Sequence, residues 1–289
     1  MDIAKLFETG KPRFSLEIFP PKTHQGGIET IYETLDGLKD VRPAFISCTY
    51  GAGGNRADSS TIEICSIIQE RYNIPAISHL TCVNNSKEDI DIILEQLKAK
   101  GIYNILALRG DPKPDAPAKE DFAYASDLIS YIKQRESEFV ISAACYPEGH
   151  PSSDDIVSDV INLKKKVDCG AEHLISQLFF DNEDFYRFRE RCAIAGIDVP
   201  IEAGIMPVTS KQSIMRMVSM CGASIPAKLA KILNRFENDP TALEEACIVY
   251  AIDQMVDLIT NDVDGIHLYT MNKPYLAKRI FAVIDKMRS

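Results

Sequence analysis

The chain has 289 residues, of which 45% are hydrophobic and 26% are charged, as in an ordinary globular protein with a large core. Lysine and arginine total 32 against 42 acidic residues, and the net charge of −10 argues against nucleic acid as a general partner. No apolar run approaches the roughly 18–20 residues of a membrane span, and the first eight residues contain no apolar signal core.

Short apolar segments alternate with stretches of helical periodicity along the whole chain. The predicted strands lie near residues 14–19, 44–49, 76–81, 104–109, 139–145, 173–179, 200–205 and 265–270. The predicted helices lie near 28–39, 58–71, 86–100, 122–135, 152–169, 182–195, 210–220 and 274–287, with two more at 226–236 and 240–261. Eight such repeats predict an α/β protein, a (β/α)8 TIM barrel with extra helices between strands seven and eight. A doubly wound open sheet is the alternative. We expect one catalytic domain over residues 1–289.

The first predicted strand carries an acid inside an apolar run. Pro20 and Pro21 end this strand just beyond Glu17, because proline cannot donate to a sheet ladder. Alternation places Glu17 on the same face as Ser15 and Phe19. A buried carboxylate without a partner is costly, so Glu17 is either a functional acid or a glutamate hydrogen-bonded in the barrel for structural reasons.

Polar and aromatic residues occur at the ends of almost all the predicted strands, where (β/α)8 barrels have their active sites. In chain order these are Glu17, Thr49-Tyr50, His79, Arg109-Gly110-Asp111, Tyr146 to His150, Gln177, Gly204 to Pro207, and Tyr269 to Asn272. So many together predict a large polar pocket. A core position is the alternative for His79 and for Gln177.

Alternation also assigns faces to the neighbouring strands. Three pairs are predicted to share a face: Ser47 with Thr49, Ala107 with Arg109, and Ile175 with Gln177. Leu106 and Leu108 are predicted to take the opposite face of the fourth strand and to pack against helices.

The helix after the fifth strand places Asp159, Asn162 and Lys166 on one stripe, at i, i+3 and i+7. The run of lysines at 164–166 is either a solvated helix face or a group that neutralises a ligand pyrophosphate, and the spacing does not decide between them.

Nucleotide and metal motifs are missing from the sequence. The segment 51–54 is rich in glycine, but Arg56 breaks the Gly-x-Gly-x-x-Gly pattern, and no Walker motif or group of metal ligands is found. The proline-rich segment 112–117 is expected to be a mobile loop over the barrel mouth. The eight cysteines form no Cys-x-x-Cys pair, so we expect a reduced, cytoplasmic chain without a metal site.

Taken in order, these motifs resemble the methylenetetrahydrofolate reductase family, of the bacterial type with a single catalytic domain. The matching segments are residues 14–21, 49–52, 79–82, 107–111, 124–128, 144–151, 177–181 and 269–272. The resemblance implies an FAD-carrying barrel that reduces 5,10-methylenetetrahydrofolate to 5-methyltetrahydrofolate with NADH or NADPH, in ping-pong turnover. It also implies that the regulatory domain of animal relatives has no counterpart here.

The resemblance assigns roles to individual residues. Glu17 is implied as the general acid, and Asp111 as the carboxylate near flavin and folate. The implied FAD contacts are Thr49, Tyr50, Ala52, His79, Arg109, Gly110, Asp111, Tyr124, Ala125, Tyr146, His150, Asp159, Asn162, Lys165 and Lys166. The implied folate or nicotinamide contacts are Glu17, Thr49, Asp111, Gln177, Gln212 and Lys273. Two positions depart from the family pattern: Lys273 is often arginine in relatives, and Arg216 or a neighbour stands where relatives have an aromatic lid.

The identity of the electron donor stays open. The acidity of the chain and the absence of an extra arginine cluster favour NADH. We expect folate and nicotinamide substrates and a homo-oligomer. The alternatives are a flavin-free, pterin-binding methyltransferase barrel and a reductase subunit that needs an electron-transfer partner protein.

Overall fold

The computed structural model describes residues 2–21, 27–50, 60–111 and 120–287. Eight parallel strands close into a barrel in chain order. The strands are β1 Arg13–Ile18, β2 Ile46–Cys48, β3 Ala76–Thr81, β4 Asn104–Leu108, β5 Val140–Cys145, β6 Ala171–Ser176, β7 Ile201–Ile205 and β8 Gly265–Tyr269. The helices are α1 Glu29–Leu38, α2 Ser60–Tyr72, α3 Lys87–Ala99, α4 Ala125–Arg135, α5 Ile156–Asp168, α6 Asn182–Ile194, α7 Lys211–Cys221, α8 Ala227–Arg235, α9 Pro240–Thr260 and α10 Pro274–Ile284. The predicted (β/α)8 barrel is confirmed, and α8 and α9 are the two extra helices.

The strands form because their apolar side chains are buried on both faces, as a parallel sheet requires. Phe14, Leu16 and Ile18 of β1 point outward into the main core that the helices cover. Among the described helices, none combines the length and hydropathy needed to cross a bilayer. All eight cysteines are free, and six of them are buried as small apolar groups.

The floor of the barrel is closed by the amino-terminal segment. A 3₁₀ helix at Ala4–Thr9 lies beneath the strands, and Phe7 packs with a separate apolar cluster inside the barrel that includes Ile3, Phe45 and Ile77. The Ile3 amide donates to the side chain of Asn104 over 3.2 Å. This end of the interior is therefore lined by apolar side chains together with the buried side chain of Asn104.

The predicted faces of β4 are wrong. Leu106 belongs to the apolar cluster inside the barrel with Leu108 packed against it, whereas Ala107 belongs to the helix-covered core. The register agrees, because Leu106 pairs with the inward-facing His79 of β3. The prediction placed Ala107 on the inward face because Arg109, two residues later, was expected to point into the site. Since β4 ends at Leu108, Arg109 lies outside the strand, and its direction does not determine the face of Ala107.

The sixth strand ends earlier than its apolar run predicts, at Ser176 instead of residue 179. The residues after Ser176 are still apolar because Leu178 and Phe180 belong to a second apolar cluster outside the sheet. In that cluster they pack with Leu229 and Leu233 of α8. The extra helices thus cover the chain that follows β6.

Candidate functional site

Glu17 stands near the carboxyl end of β1 on the inward face, with 19% of its side chain exposed. Its Oε2 atom lies 3.5 Å from Nε2 of His79 on β3 and 3.7 Å from Nε2 of His267 on β8. The structure therefore brings together the predicted pair Glu17 and His79, and it adds a second imidazole. A carboxyl group between two imidazoles at the mouth of a barrel is well placed for proton transfer.

His79 is a neutral partner for this carboxyl group. Burial lowers the pKa of His79 to about 4, although the nearby Glu17 carboxylate raises it and His267 lowers it further. Among the described residues, Nε2 of His79 has no hydrogen-bond partner, and Glu17 is the acidic group it faces. An uncharged imidazole can exchange a hydrogen bond with Glu17 without holding it as a fixed ion pair.

The position of Glu17 is fixed by side chains that follow β8. The Thr270 hydroxyl donates to the Glu17 carbonyl over 2.6 Å. The side chain of Asn272 both donates to the Phe19 carbonyl, over 2.8 Å, and accepts from the Phe19 amide, over 3.0 Å. Asn272 has a left-handed backbone with φ of 52°, which asparagine tolerates better than most residues. These bonds continue the β1–β8 pairing beyond the ladder and hold the acid at the mouth.

Tyr269 fills the space beside Glu17. Its hydroxyl donates to the Ser176 carbonyl over 2.7 Å, and burial raises its pKa well above the usual value. Gly204 makes room for it: a Cβ there would lie 2.2 Å from the Ser176 oxygen and 2.9 Å from the Tyr269 ring. The close approach of β6, β7 and β8 at this level therefore requires glycine.

We predict that Gly204→Ala lowers the free energy of unfolding by about 1–3 kcal/mol, because the added methyl group overlaps a backbone oxygen that cannot rotate away. Urea unfolding of the variant and the wild-type protein measures the difference. A loss of less than about 0.5 kcal/mol would contradict the required close approach.

A second group of polar residues lies on the rim at the ends of β4 and β5 and on α5. We call it the rim cluster; it comprises Arg109, Asp111, Tyr146, His150, Asp159 and Lys166. Burial lowers the pKa of His150, while Asp159 and Asp111 raise it and Lys166 and Arg109 lower it. The Tyr146 and His150 rings meet edge to face with centroids 4.6 Å apart. Burial raises the pKa of Tyr146 to about 12, so its hydroxyl keeps its proton.

Lys166 does not belong to a solvated helix face. Its ammonium reaches back to the barrel and donates to the Ala144 carbonyl of β5 over 2.9 Å. Burial lowers its pKa, and the Asp159 carboxylate opposes that effect. The neighbouring lysines differ: Lys164 pairs with Asp168, and the exposed Lys165 donates to the exposed Asn162. Only part of the predicted stripe, Asp159 with Lys166, therefore turns toward the rim.

The rim cluster has the donor set that a flavin dinucleotide needs. Lys166 and Arg109 are cations suited to phosphate oxygens, and Tyr146 is a neutral hydroxyl suited to a sugar or ring atom. Gly110 has φ of +76°, and a Cβ there would lie 2.9 Å from the Cβ of Thr81, so the close approach of Thr81 requires glycine at this point of the rim.

Other predicted contacts occupy separate parts of the mouth. Thr49 and Tyr50 follow β2, and the Thr49 carbonyl accepts from the Thr61 hydroxyl over 2.9 Å. Tyr124 is exposed and Ala125 is buried at the start of α4. The segments 51–54, which includes Ala52, and 112–117 lie outside the described residues.

The predicted folate contacts lie at the ends of β6, β7 and β8. Gln177 follows β6, and its side-chain oxygen accepts from the Leu178 amide over 2.9 Å. Gln212 lines an open pocket of about 410 Å³ together with Thr209. Lys273 donates to the Thr209 hydroxyl over 3.2 Å, so it reaches the edge of the same pocket.

Sequence reasoning missed a polar network inside the barrel, below Glu17. Its unpredicted members are Ser142, His173, Glu202 and His267, and all four are buried. Glu202 had the same signal as Glu17, an acid within an apolar strand. The alternation of β8 also placed His267 on the face of Tyr269.

Comparisons with known proteins show which family the chain resembles. A family model described as methylenetetrahydrofolate reductase matches residues 2–285. A relative named 5,10-methylenetetrahydrofolate reductase from Pectobacterium carotovorum is 38% identical over 271 residues, which cover 94% of this chain and 89% of the relative. The Escherichia coli protein of the same name is 36% identical, with 94% and 90% covered.

A plant relative and one solved structure extend the comparison. The Arabidopsis thaliana protein named methylenetetrahydrofolate reductase (NADH) 1 is 37% identical over 93% of this chain, which spans 48% of the length of that relative. A Clostridium thermocellum protein that binds two copies of 5-methyl-5,6,7,8-tetrahydrofolic acid has a TM-score of 0.61 at 14% identity, with 97% of this chain and 99% of that one covered. The last likeness concerns the fold alone.

Proposed function

The chain belongs to the methylenetetrahydrofolate reductase family, and from this premise we propose that it reduces 5,10-methylenetetrahydrofolate to 5-methyltetrahydrofolate with electrons from a reduced nicotinamide. The observation that carries the proposal is the Glu17 carboxyl group at the barrel mouth, 3.5 Å from a neutral His79. FAD, when bound, would supply the hydride transfer in both directions, from the nicotinamide and to the folate, in a ping-pong sequence.

Glu17 supplies the proton that this reduction requires. The methylene carbon of the substrate bridges two nitrogens, so one C–N bond must break before the carbon can become a methyl group. Glu17 donates its proton to the departing nitrogen, and the electron pair of the broken bond remains on that nitrogen. The resulting iminium carbon accepts the hydride. Glu17 stands between two imidazoles near the barrel mouth, where its carboxyl group can reach a nitrogen of the substrate.

The rim cluster would hold the cofactor. Lys166 and Arg109 would bind phosphate oxygens, and Asp159 would keep the Lys166 ammonium oriented. Tyr146 and His150 would border the cofactor with their rings, and Asp111 would separate cofactor from folate. Support comes from the partial burial of Lys166, because an ammonium group that is partly shielded from water binds an anion more strongly than a fully solvated one.

The folate would extend from Glu17 across the ends of β6, β7 and β8. Gln177 would offer its amide to the pterin or to the nicotinamide in turn, since one side of the flavin serves both substrates. Gln212 and Lys273 meet at Thr209 on the far side of the mouth. The ammonium of Lys273 is suited to the carboxylate end of a folate.

We predict that the purified protein is yellow from noncovalently bound FAD, about one per barrel, and that anaerobic NADH bleaches it faster than NADPH. The acidic chain disfavours the extra phosphate of NADPH, and the Arabidopsis relative carries NADH in its name. Absorbance at the flavin band in stopped-flow mixing measures both rates.

Each alternative has its own result in this experiment. A protein that stays colourless after incubation with FAD would favour the flavin-free methyltransferase barrel. Much faster bleaching by NADPH would contradict the predicted donor. Slow bleaching by both nucleotides would favour a partner protein as the source of electrons.

A further inference from the structure

We propose that Glu202, which lies deep in the barrel and does not touch Glu17, is a positioning residue that fixes the tautomer of His267 so that its Nε2 atom faces Glu17 without a proton. This inference rests on the proposed function for its catalytic meaning. The tautomer itself is inferred from the hydrogen-bond geometry with Glu202 as an acceptor, and it is tested separately.

The connection runs through one serine. The Ser15 hydroxyl donates to Oε1 of Glu202 over 2.8 Å, and the Oγ atom of Ser15 also lies 2.6 Å from Nδ1 of His267. All three side chains are fully buried, so water does not supply alternative partners at these atoms. The network joins the inward faces of β1, β7 and β8.

A count of protons decides the tautomer. A serine hydroxyl has one proton, and an ionised carboxylate can only accept. Because Ser15 gives its proton to Glu202, it must accept at the other contact, and His267 therefore carries its proton on Nδ1. In a neutral imidazole, Nε2 then carries no proton. It accepts from the Ser47 hydroxyl at 3.3 Å, and it lies 3.7 Å from Oε2 of Glu17.

A second histidine lies beside the other carboxyl oxygen of Glu202. Nε2 of His173 lies 3.2 Å from Oε2 of Glu202, and its Nδ1 lies 2.9 Å from the Ser142 hydroxyl. Among the described residues, neither Nε2 of His173 nor Oε2 of Glu202 has a hydrogen-bond partner, so this contact does not compete with the Ser15 bond at Oε1. The Phe7 ring stacks on His173 with centroids 4.7 Å apart and holds that orientation.

The barrel also reserves space for the Glu202 side chain. Gly265 pairs with Glu202 across β7 and β8. A Cβ at Gly265 would lie 2.8 Å from Cγ and 2.9 Å from Oε1 of Glu202. The carboxylate is thus held where it can reach Ser15, because glycine leaves the position opposite it empty.

The consequence concerns the proton on Glu17. Among the described residues, the titratable groups that face Glu17 are His79 from β3 and both His267 and Tyr269 from β8. Tyr269 donates its proton to Ser176 and so gives none to Glu17. An unprotonated Nε2 places no N–H donor beside Oε2 of Glu17, so in this tautomer His267 gives the Glu17 carboxylate no hydrogen bond.

The test is ¹⁵N NMR of histidine-labelled protein, in which chemical shifts of the two ring nitrogens report the tautomer. The chain has five histidines, so His267 can be assigned with a His267→Gln variant. We expect the wild-type protein to carry the His267 proton on Nδ1. Glu202→Leu frees the Ser15 proton to bind Nδ1, and Ser15→Ala removes the acceptor, so both variants should move the His267 proton to Nε2.

Ser142→Ala is the matched control. It removes a hydroxyl from the same buried network but leaves the Glu202–Ser15–His267 contacts intact, so the His267 tautomer should stay as in the wild type. If Glu202→Leu does not fold, Ser15→Ala decides alone. A wild-type His267 with its proton on Nε2 or on both nitrogens, or an unchanged tautomer in a folded Ser15→Ala variant, would overturn the inference.

Kinetics of the same variants separate this inference from the proposed function. In Glu202→Leu and Ser15→Ala, folate reduction should slow by about 10–100-fold, while flavin reduction by NADH should keep its wild-type rate. Equal slowing of both half-reactions would contradict the positioning role. If wild-type protein failed to reduce the folate at all, the proposed function would fail, and the NMR result would still decide the tautomer.

Discussion

Glu17→Gln is expected to slow reduction of 5,10-methylenetetrahydrofolate by roughly 10²–10⁴-fold, the loss that follows removal of a general acid. Flavin reduction by NADH should keep its rate, because hydride transfer from nicotinamide needs no acid. Glutamine preserves the size of the side chain and much of its hydrogen bonding near His79. FAD content and folding should therefore change little. Stopped-flow absorbance of each half-reaction measures the two rates separately.

The matched control for this change is Glu245→Gln, which removes a carboxylate that pairs with Arg279 on the protein surface. Both half-reactions should be unaffected in that variant. If Glu17 has only a structural role, the pattern reverses: Glu17→Gln would lose stability or flavin, and turnover per bound FAD would stay near normal. Equal slowing of both half-reactions would leave Glu17 as a packing or cofactor-positioning residue.

Lys166→Ala should weaken FAD binding by about 1.5–3 kcal/mol, the usual contribution of a hydrogen bond to a charged group. The dissociation constant should rise by roughly 10–150-fold. The reason is the burial of the Lys166 ammonium, which is directed to the barrel rim beside Asp159. Titration of apoprotein with FAD, followed by flavin fluorescence, measures the change.

Lys164→Ala provides the comparison on the same helix. Lys164 pairs with Asp168 on the outer side of α5, so its removal should leave FAD affinity unchanged. If Lys166→Ala also leaves FAD affinity unchanged, the role of Lys166 is confined to its hydrogen bond with the Ala144 carbonyl, and the assignment of the rim cluster to the cofactor loses its main support.

The barrel could be predicted from the sequence because its signals are local. Each strand is a short apolar run, each helix has its own periodicity, and eight repeats permit few other architectures. Glu17 and His79 could be placed at the mouth for the same reason, since both precede the end of a strand. The structure then brought them within 3.5 Å of each other.

The faces of β4 and the interior network could not be predicted in the same way. Alternation fails where a strand ends, and the sequence around Leu108 and Arg109 contains no sign that the ladder stops between them. The contacts of Glu202 with Ser15 and His173 depend on register between strands that are distant in sequence. The directions of the three lysine side chains at 164–166 depend on how α5 packs against the barrel, and helical periodicity alone does not determine this packing.

The most direct test is a single-turnover reaction of the reduced protein with its proposed substrate. The FAD-loaded protein is reduced anaerobically, freed of nucleotide, and mixed with 5,10-methylenetetrahydrofolate while flavin absorbance is followed. We expect the flavin to be reoxidised and one 5-methyltetrahydrofolate to form for each flavin, with both processes suppressed in Glu17→Gln. A flavin that stays reduced in the wild-type protein, or is reoxidised without 5-methyltetrahydrofolate, would contradict the proposed function.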